Sequence, residues 1–250
     1  MSNLSLCATS MKDQITVGMA SIQCRMQGMI NTINALLSSC DNFDVYLNDY
    51  PRGFWIPEFD NEKITVYQMT DLGARGKFYA AYRTPGYYFT VDDDLNYPPD
   101  YIYTLTQAIE KYERQVVVGV HGTLFTEMHD TIQPRQRVLF SHAVHQAHDI
   151  PVHTLGTGVM AYHSDTMVVD YRTLEPGKID DQVAWLGQEQ RIPMMSVIHP
   201  DNWVSENKEL IFRGSLRRNV EASETAVARA NSKQWQLFLP DCWKKHERIP

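Results

Sequence analysis

Gly86-Tyr-Tyr-Phe-Thr-Val-Asp92-Asp93-Asp94-Leu-Asn-Tyr97-Pro98-Pro99-Asp100 decides how the chain is read. Tyr87 to Val91 is aromatic and β-branched, the composition of a buried strand. It ends in three carboxylates with no lysine or arginine beside them, and a Pro-Pro step leads into a helix-like run from Asp100 to Glu113. Adjacent like charges repel, so the triplet is costly unless something positive sits there. Side chains alternate along an extended chain, which turns Asp92 and Asp94 the same way, toward one hard cation that prefers oxygen ligands. The competing reading is a solvated acidic turn that caps the next helix. Asp100 can supply that cap alone.

Upstream, Ile15 to Ile22 reads as a buried strand running into a loop with Arg25. Met29 to Leu37 has apolar residues at helical spacing, and Phe43 to Leu47 and Ile64 to Tyr67 read as two further strands. This β-α-β-β order fits the first half of a nucleotide-binding α/β sheet, whose ligand sits beyond the carboxyl ends of the strands. Ser21, Arg25, Asn48 and Asp49 lie at or just past those ends. Between them and the triplet comes Asp71-Leu-Gly73-Ala-Arg75-Gly76-Lys77-Phe78. Glycines let a backbone approach a phosphate, and Arg75 and Lys77 supply charge. The loop matches neither the Walker pattern nor GxGxxG, so a turn with surface cations is the alternative.

Downstream, Val116 to Gly122 reads as one more strand with His121 at its end, either a ligand contact or a hydrogen-bonded core histidine. Residues 128 to 154 hold His129, His142, His145, His148, His153, Arg135 and Arg137 without metal-ligand spacing. They read as a long loop or lid. Leu155-Gly156-Thr157-Gly158 is a turn whose glycines suggest close backbone approach to a ligand. A helix opens at Ile179-Asp180-Asp181 and runs through Gly187. Asp180 is the candidate N-cap, which leaves Asp181 to project into the cleft. Met194 to Ile198 is a last strand, followed by His199 and Trp203. Ala222 to Ala230 reads as a helix, and Trp235, Phe238 and Trp243 as anchors docking the tail.

At 250 residues the chain can bury a sizeable core. No run of 18 apolar residues predicts a membrane span, and MSNLSLCATSMKDQ lacks the n- and h-regions of a signal peptide. Cys7, Cys24, Cys40 and Cys242 show no CxxC spacing, which argues against zinc and fits reduced thiols in a cytoplasm. The net charge of −7 disfavours non-specific binding to nucleic acid or membrane by the whole surface. From Ser205 onward, however, nine Lys/Arg face six Asp/Glu, against 14 and 24 in the first 204 residues. That basic tail is either a solvated surface or a phosphate contact.

Together these blocks resemble the GT-A fold glycosyltransferases with a DxD motif. They are especially similar to small bacterial heparosan-type N-acetylglucosaminyltransferases and related capsule transferases. Gly76-Lys77-Phe78, the DDD-x-x-YPPDY block from Asp92 to Tyr101, VGVHG at Val118 to Gly122, LGTG at Leu155 to Gly158, the aspartate-led helix near Asp181 and Asn202-Trp203 carry the resemblance over roughly residues 15 to 204. It implies an α/β chain with a single GT-A (Rossmann-like) domain over residues 1–204. A mixed, mostly parallel central sheet flanked by helices would carry residues 205–250 as a docked extension. It implies that Ala20, Ser21 and Arg25 line a nucleotide pocket, with Asn48 at its edge. Asp71, Arg75 and Lys77 would meet uridine or diphosphate. Asp92 and Asp94 would hold Mn²⁺ or Mg²⁺, with Asp93 near the donor sugar and His199 as a further ligand. Asp181 would be the catalytic base if the enzyme inverts configuration, and an acceptor contact if it retains it. His121, Gly156, Thr157, Gly158 and Trp203 would contact sugar or acceptor.

The expected activity is metal-dependent transfer from a UDP-sugar, UDP-glucose or UDP-N-acetylglucosamine, to a glycan hydroxyl. An alternative acceptor is a hydroxymethylated DNA base of the kind some viral glycosyltransferases modify. It rests on Arg213, Arg217, Arg218, Arg229 and Lys233 interleaved with Trp235 and on the segment Arg135 to His153. A base in a duplex would have to be flipped out to react. Two other classes compete: a metal-dependent nuclease or phosphotransferase, which leaves the loop glycines unexplained, and a silent sugar-nucleotide-binding module.

Overall fold

The computed structural model describes residues 13–126, 137–207, 209–210 and 235–243. In chain order its elements are β1 (Ile15–Ile22), α1 (Met26–Leu36), β2 (Asn42–Asn48), β3 (Ile64–Gln68), β4 (Tyr87–Asp92), β5 (Leu95–Asn96), α2 (Tyr101–Lys111), β6 (Val117–Gly119), β7 (Gly122–Phe125), β8 (Arg137–Phe140), β9 (Ile150–Val152), β10 (Thr154–Leu155), β11 (Val159–His163), α3 (Ile179–Gln190), β12 (Met194–Ser196) and β13 (Ser205–Glu206). Eight strands form the central sheet in the order β3-β2-β1-β4-β11-β6-β12-β9. β1, β2, β3 and β4 are mutually parallel, and β6 pairs in parallel with β12. β11 runs against both β4 and β6, and β9 against β12. The result is the mixed, mostly parallel sheet flanked by helices that the sequence predicts for a GT-A, Rossmann-like domain.

Period-two alternation sorts the strand residues between two core layers. Phe89, Val91, Val118, Ala161 and Met195 face a layer closed by Met29, Ile33 and Leu36 of α1 and Tyr101, Ile102, Leu105 and Ile109 of α2. Tyr88, Val117, Met160, Tyr162 and Met194 face the other layer, with Ile179, Val183 and Ala184 of α3. The helical residues recur at three- and four-residue steps, so each helix shows the sheet one apolar stripe. No described helix is long and apolar enough to cross a membrane. Among the described residues, Cys40 is a buried free thiol.

Three readings change in the fold. Val116 to Gly122 is not one strand: β6 stops at Gly119, and Gly122 begins β7 in a separate three-stranded sheet, β10-β7-β8. The expected loop over 128–154 contains β8 and β9, while 127–136, with His129 and Arg135, lie outside the described residues. Buried Gln146 holds the following stretch, donating to His148 O and Ser196 O and accepting from Ser196 Oγ. Asp100 stands at the N-cap of α2, but its carboxylate accepts from the Trp203 indole at 3.1 Å instead of capping the helix. Near the C-terminus, Trp235 packs edge-on against Phe125 and Trp185, and Trp243 stacks on Tyr112. The helix read over Ala222 to Ala230 lies outside the described residues.

One half-buried charge gives a stability test far from the acidic triplet in sequence. Burial raises the Asp44 carboxyl on β2 to about 6, against the opposing pull of Arg83 and the Tyr67 hydroxyl. Its folded pKa therefore exceeds its unfolded value of about 3.9, and the ionised form weakens the fold as pH rises from 4 through 6. Asp44→Asn is expected to raise stability at pH 8 by on the order of 1 kcal/mol and to match the parent chain near pH 4. Thermal melts at the two pH values check this; an equal gain at both would refute the titration as its cause.

Candidate functional site

β1 and β4 lie side by side and parallel, with Ala20 in register with Asp92. β2 and β3 extend the sheet on one side of this pair, and the rest of the sheet lies on the other. The carboxyl ends of β1 and β4 therefore open on the switch point of the sheet, where α/β folds place their ligands. Ser21 and Ile22 end one strand and Asp92 ends the other.

The extended geometry expected for the triplet holds only as far as Asp92. The strand stops there, and Asp93 and Asp94 form the turn before β5. Asp93, only 1% exposed, points inward. Its carboxylate accepts from Ser21 Oγ at 2.7 Å and from the Arg25 guanidinium at 3.0 Å, and the same guanidinium nitrogen lies 2.9 Å from Asp94. Lys77, 2% exposed, pairs with Asp92 and reaches Thr157 O at 3.4 Å. The positive charge missing beside the triplet in sequence is thus brought from two other segments. Burial nonetheless raises the Asp93 carboxyl to about 6, with Arg25 and Ser21 acting against it. Asp94 is also raised, by burial and then by the neighbouring Asp92 charge.

The Leu155–Gly158 turn closes the site from the β11 side. A Cβ on Gly158 would fall 2.0 Å from Asp92 Oδ2, so only glycine leaves that oxygen its space. Tyr97 ties the pieces together: its hydroxyl accepts from Asp92 N at 2.7 Å and donates to Gly158 O at 2.6 Å. Asp180 does not cap α3. Its carboxylate accepts from both Thr157 N (2.9 Å) and Thr157 Oγ1 (2.6 Å), which fixes the turn that meets Lys77. Left-handed Lys178 occupies the N-cap position instead. Asp181 follows with its side chain 28% exposed and Lys178 Nζ at 3.9 Å. Burial raises its carboxyl, as does the adjacent Asp180 charge.

The other predicted residues sit as follows. Asn48 bridges the phosphate-loop candidate, accepting from Leu72 N and donating to Gly73 O, while Asp71 accepts from Gly73 N. Arg75 turns to Leu174 O at 2.6 Å. His121 Nδ1 lies 3.2 Å from His142 Nδ1, and its carbonyl accepts from Gly156 N. Burial lowers His142, with Glu206, Asp92 and Asp94 opposing. Trp203 stacks at a tilt over Tyr101. His199 is buried, with Nδ1 2.8 Å from Val197 O and Nε2 3.3 Å from Ser141 O. Among the described residues, no three His, Cys, Asp or Glu side chains converge as a metal-ligand set.

Two carboxylates nevertheless suit a hard cation. Asp92 and Asp94 have side chains 35% and 24% exposed, and Asp92 Oδ2 packs against Gly158, where a larger residue would displace it. An ion such as Mg²⁺ commonly takes one or two carboxylates and completes its shell with water and substrate phosphate.

Tyr50, Thr32 and Tyr97 were missed by sequence reasoning. Tyr50 OH lies 3.1 Å from Ser21 Oγ, and Thr32 Oγ1 donates to Asp92 O. Only Tyr97 carried a signal, its place in the YPPDY block.

No family model matches the chain, and no curated protein matches it. Among solved structures, it is similar to a crystal structure of S. aureus TarS 1-349, at a TM-score of 0.46 and 12% identity over 75% of this chain. The chain spans 59% of the length of that structure.

Proposed function

We propose that this chain is a glycosyltransferase that takes a sugar from a UDP-sugar donor, UDP-glucose or UDP-N-acetylglucosamine, and places it on a hydroxyl of a glycan. The observation that carries the reading is the acidic triplet at the β1/β4 switch point, charge-compensated by Arg25 and Lys77 and closed by the Gly158 turn. Ser21 and Asn48, at the carboxyl ends of β1 and β2, and Asp71, in the loop after β3, are the proposed nucleotide contacts. Lys77 is the cation placed to pair with a diphosphate. Asp92 and Asp94 would hold Mn²⁺ or Mg²⁺, and such an ion offsets the charge that develops on the leaving diphosphate. Asp93 is turned inward and maintains Arg25 and Ser21 in place. His199 could ligate only by giving up one of its two backbone contacts. Asp181 is the carboxylate on the α3 entrance that remains turned from the Thr157 latch, and we assign it the acceptor proton. His121, Gly156 and Trp203 are the proposed sugar or acceptor contacts.

The direct test is UDP release from each donor in Mn²⁺ and in EDTA. Asp94→Ala is expected to abolish metal-dependent release while its thermal midpoint stays within about 2 °C of the parent. Arg25 keeps Asp93 as its partner in that variant, and the repulsion between Asp92 and Asp94 is relieved. Full activity of the variant in Mn²⁺ would remove Asp94 from the metal site.

A further inference from the structure

Lys77 and Arg25 both neutralise the triplet, but they are held very differently. Arg25 bridges Asp93 and Asp94 from a buried position, and Asp93 is fixed in turn by Ser21. Moving Arg25 would strand a buried carboxylate. Lys77 meets Asp92, whose side chain is 35% exposed, and among the described residues its ammonium makes one further hydrogen bond, a long one to Thr157 O. Lys77 is itself buried, but its ammonium is a point charge with rotatable donors on a flexible four-carbon stem, so it can leave Asp92 by rotation of its side chain alone.

A divalent ion on Asp92 and an ammonium on the same carboxylate repel each other at short range. Resting on the proposed function, we propose that Lys77 is an exchangeable cation: it holds the place of the divalent ion on Asp92, leaves when the ion binds, and turns to the donor diphosphate. The arrangement has two consequences. The ion binds weakly by itself, because it must displace Lys77 without offering it a partner. Ion and nucleotide bind cooperatively, because the diphosphate supplies that partner. Coupling of this kind is reciprocal, so each ligand raises the affinity for the other by the same factor. Thr157 O, held by the Asp180 latch, marks the resting position to which the ammonium returns.

Mn²⁺ binding, followed by the electron paramagnetic resonance signal of the free ion, tests this without turnover. Lys77→Met is expected to bind Mn²⁺ alone about tenfold more tightly than the parent, the shift that 1.4 kcal/mol gives. It should also lose most of the factor by which saturating UDP tightens Mn²⁺ binding. Lys77→Gln, which can still donate to Thr157 O, should behave likewise and serves if the methionine variant does not fold. Lys77→Arg keeps the charge and should stay weak. Mn²⁺ affinity that is unchanged or lower in both neutral variants would overturn the exchange, as would no Mn²⁺ binding by any of the proteins. The nucleotide-free comparison does not depend on the donor: tighter Mn²⁺ binding there supports the exchange even if UDP binds none of the proteins, an outcome that would count against the UDP-sugar reading alone.

Discussion

Arg25→Ala is expected to destabilise the fold by about 3–5 kcal/mol, the usual cost of removing one partner from a buried ion pair. Asp93 is 1% exposed, and without Arg25 its carboxylate retains, among the described residues, Ser21 as its side-chain hydrogen-bond donor. Burial already raises Asp93 to about 6 with Arg25 present, and losing the guanidinium should raise it further. The sign of the pH dependence follows. A carboxyl whose folded pKa exceeds its unfolded value weakens the fold when ionised, and the penalty fades as the pH falls through that interval. The loss should therefore be largest near pH 8 and smaller near pH 5. Urea unfolding at the two pH values measures it. The double variant Arg25→Ala with Asp93→Ala removes the stranded charge and should recover part of the loss, a coupling that independent sites would not show. A single-variant loss below about 1 kcal/mol at pH 8 would mean that Arg25 is no more than a surface cation.

Asp181→Asn is expected to lower kcat by roughly 100-fold or more while leaving donor affinity unchanged, because a general base acts in the transition state and not in donor binding. The structure separates it from its neighbour. Asp180 is committed to Thr157, whereas Asp181 faces Lys178 at 3.9 Å. Burial and the Asp180 charge raise the Asp181 carboxyl from its ordinary value. The acid limb of the parent's rate profile should report this ionisation, with turnover falling as pH drops through it, and should disappear in the variant. Asp180→Asn should act in another way, loosening the turn that carries Gly158 and weakening donor binding. A loss of only a few-fold for Asp181→Asn, with the acid limb intact, would leave Asp181 as an acceptor contact.

Much of the fold was legible because periodicity is local. The alternation of Tyr88 and Phe89 across the sheet, and the recurrence of Met29, Ile33 and Leu36 along α1, are written in consecutive residues. The position of the triplet at a strand end could be read in the same way, since β-branched and aromatic residues run directly into it. Short strands were less legible: β6 and β7 share one apolar run, and only the change of sheet at His121 separates them. β8 and β9 were hidden in a stretch dominated by histidine and arginine, which carries little strand signal.

The sequence alone determined which chemical groups are present and which end of the strands carries them. It could not determine how their charges are balanced. Read locally, the triplet lacks a cation, and that lack argued for a metal. The tertiary structure supplies two, Arg25 from 68 positions before Asp93 and Lys77 from 15 before Asp92. Likewise the role of Asp180 depended on Thr157, 23 positions away and invisible to any helix-capping rule. Electrostatic energy depends on distance through space and on burial, and neither follows from separation along the chain. The packing of β1 against β4 therefore decided which carboxylate is locked to Arg25 and which is left at the mouth of the site with a lysine that can leave.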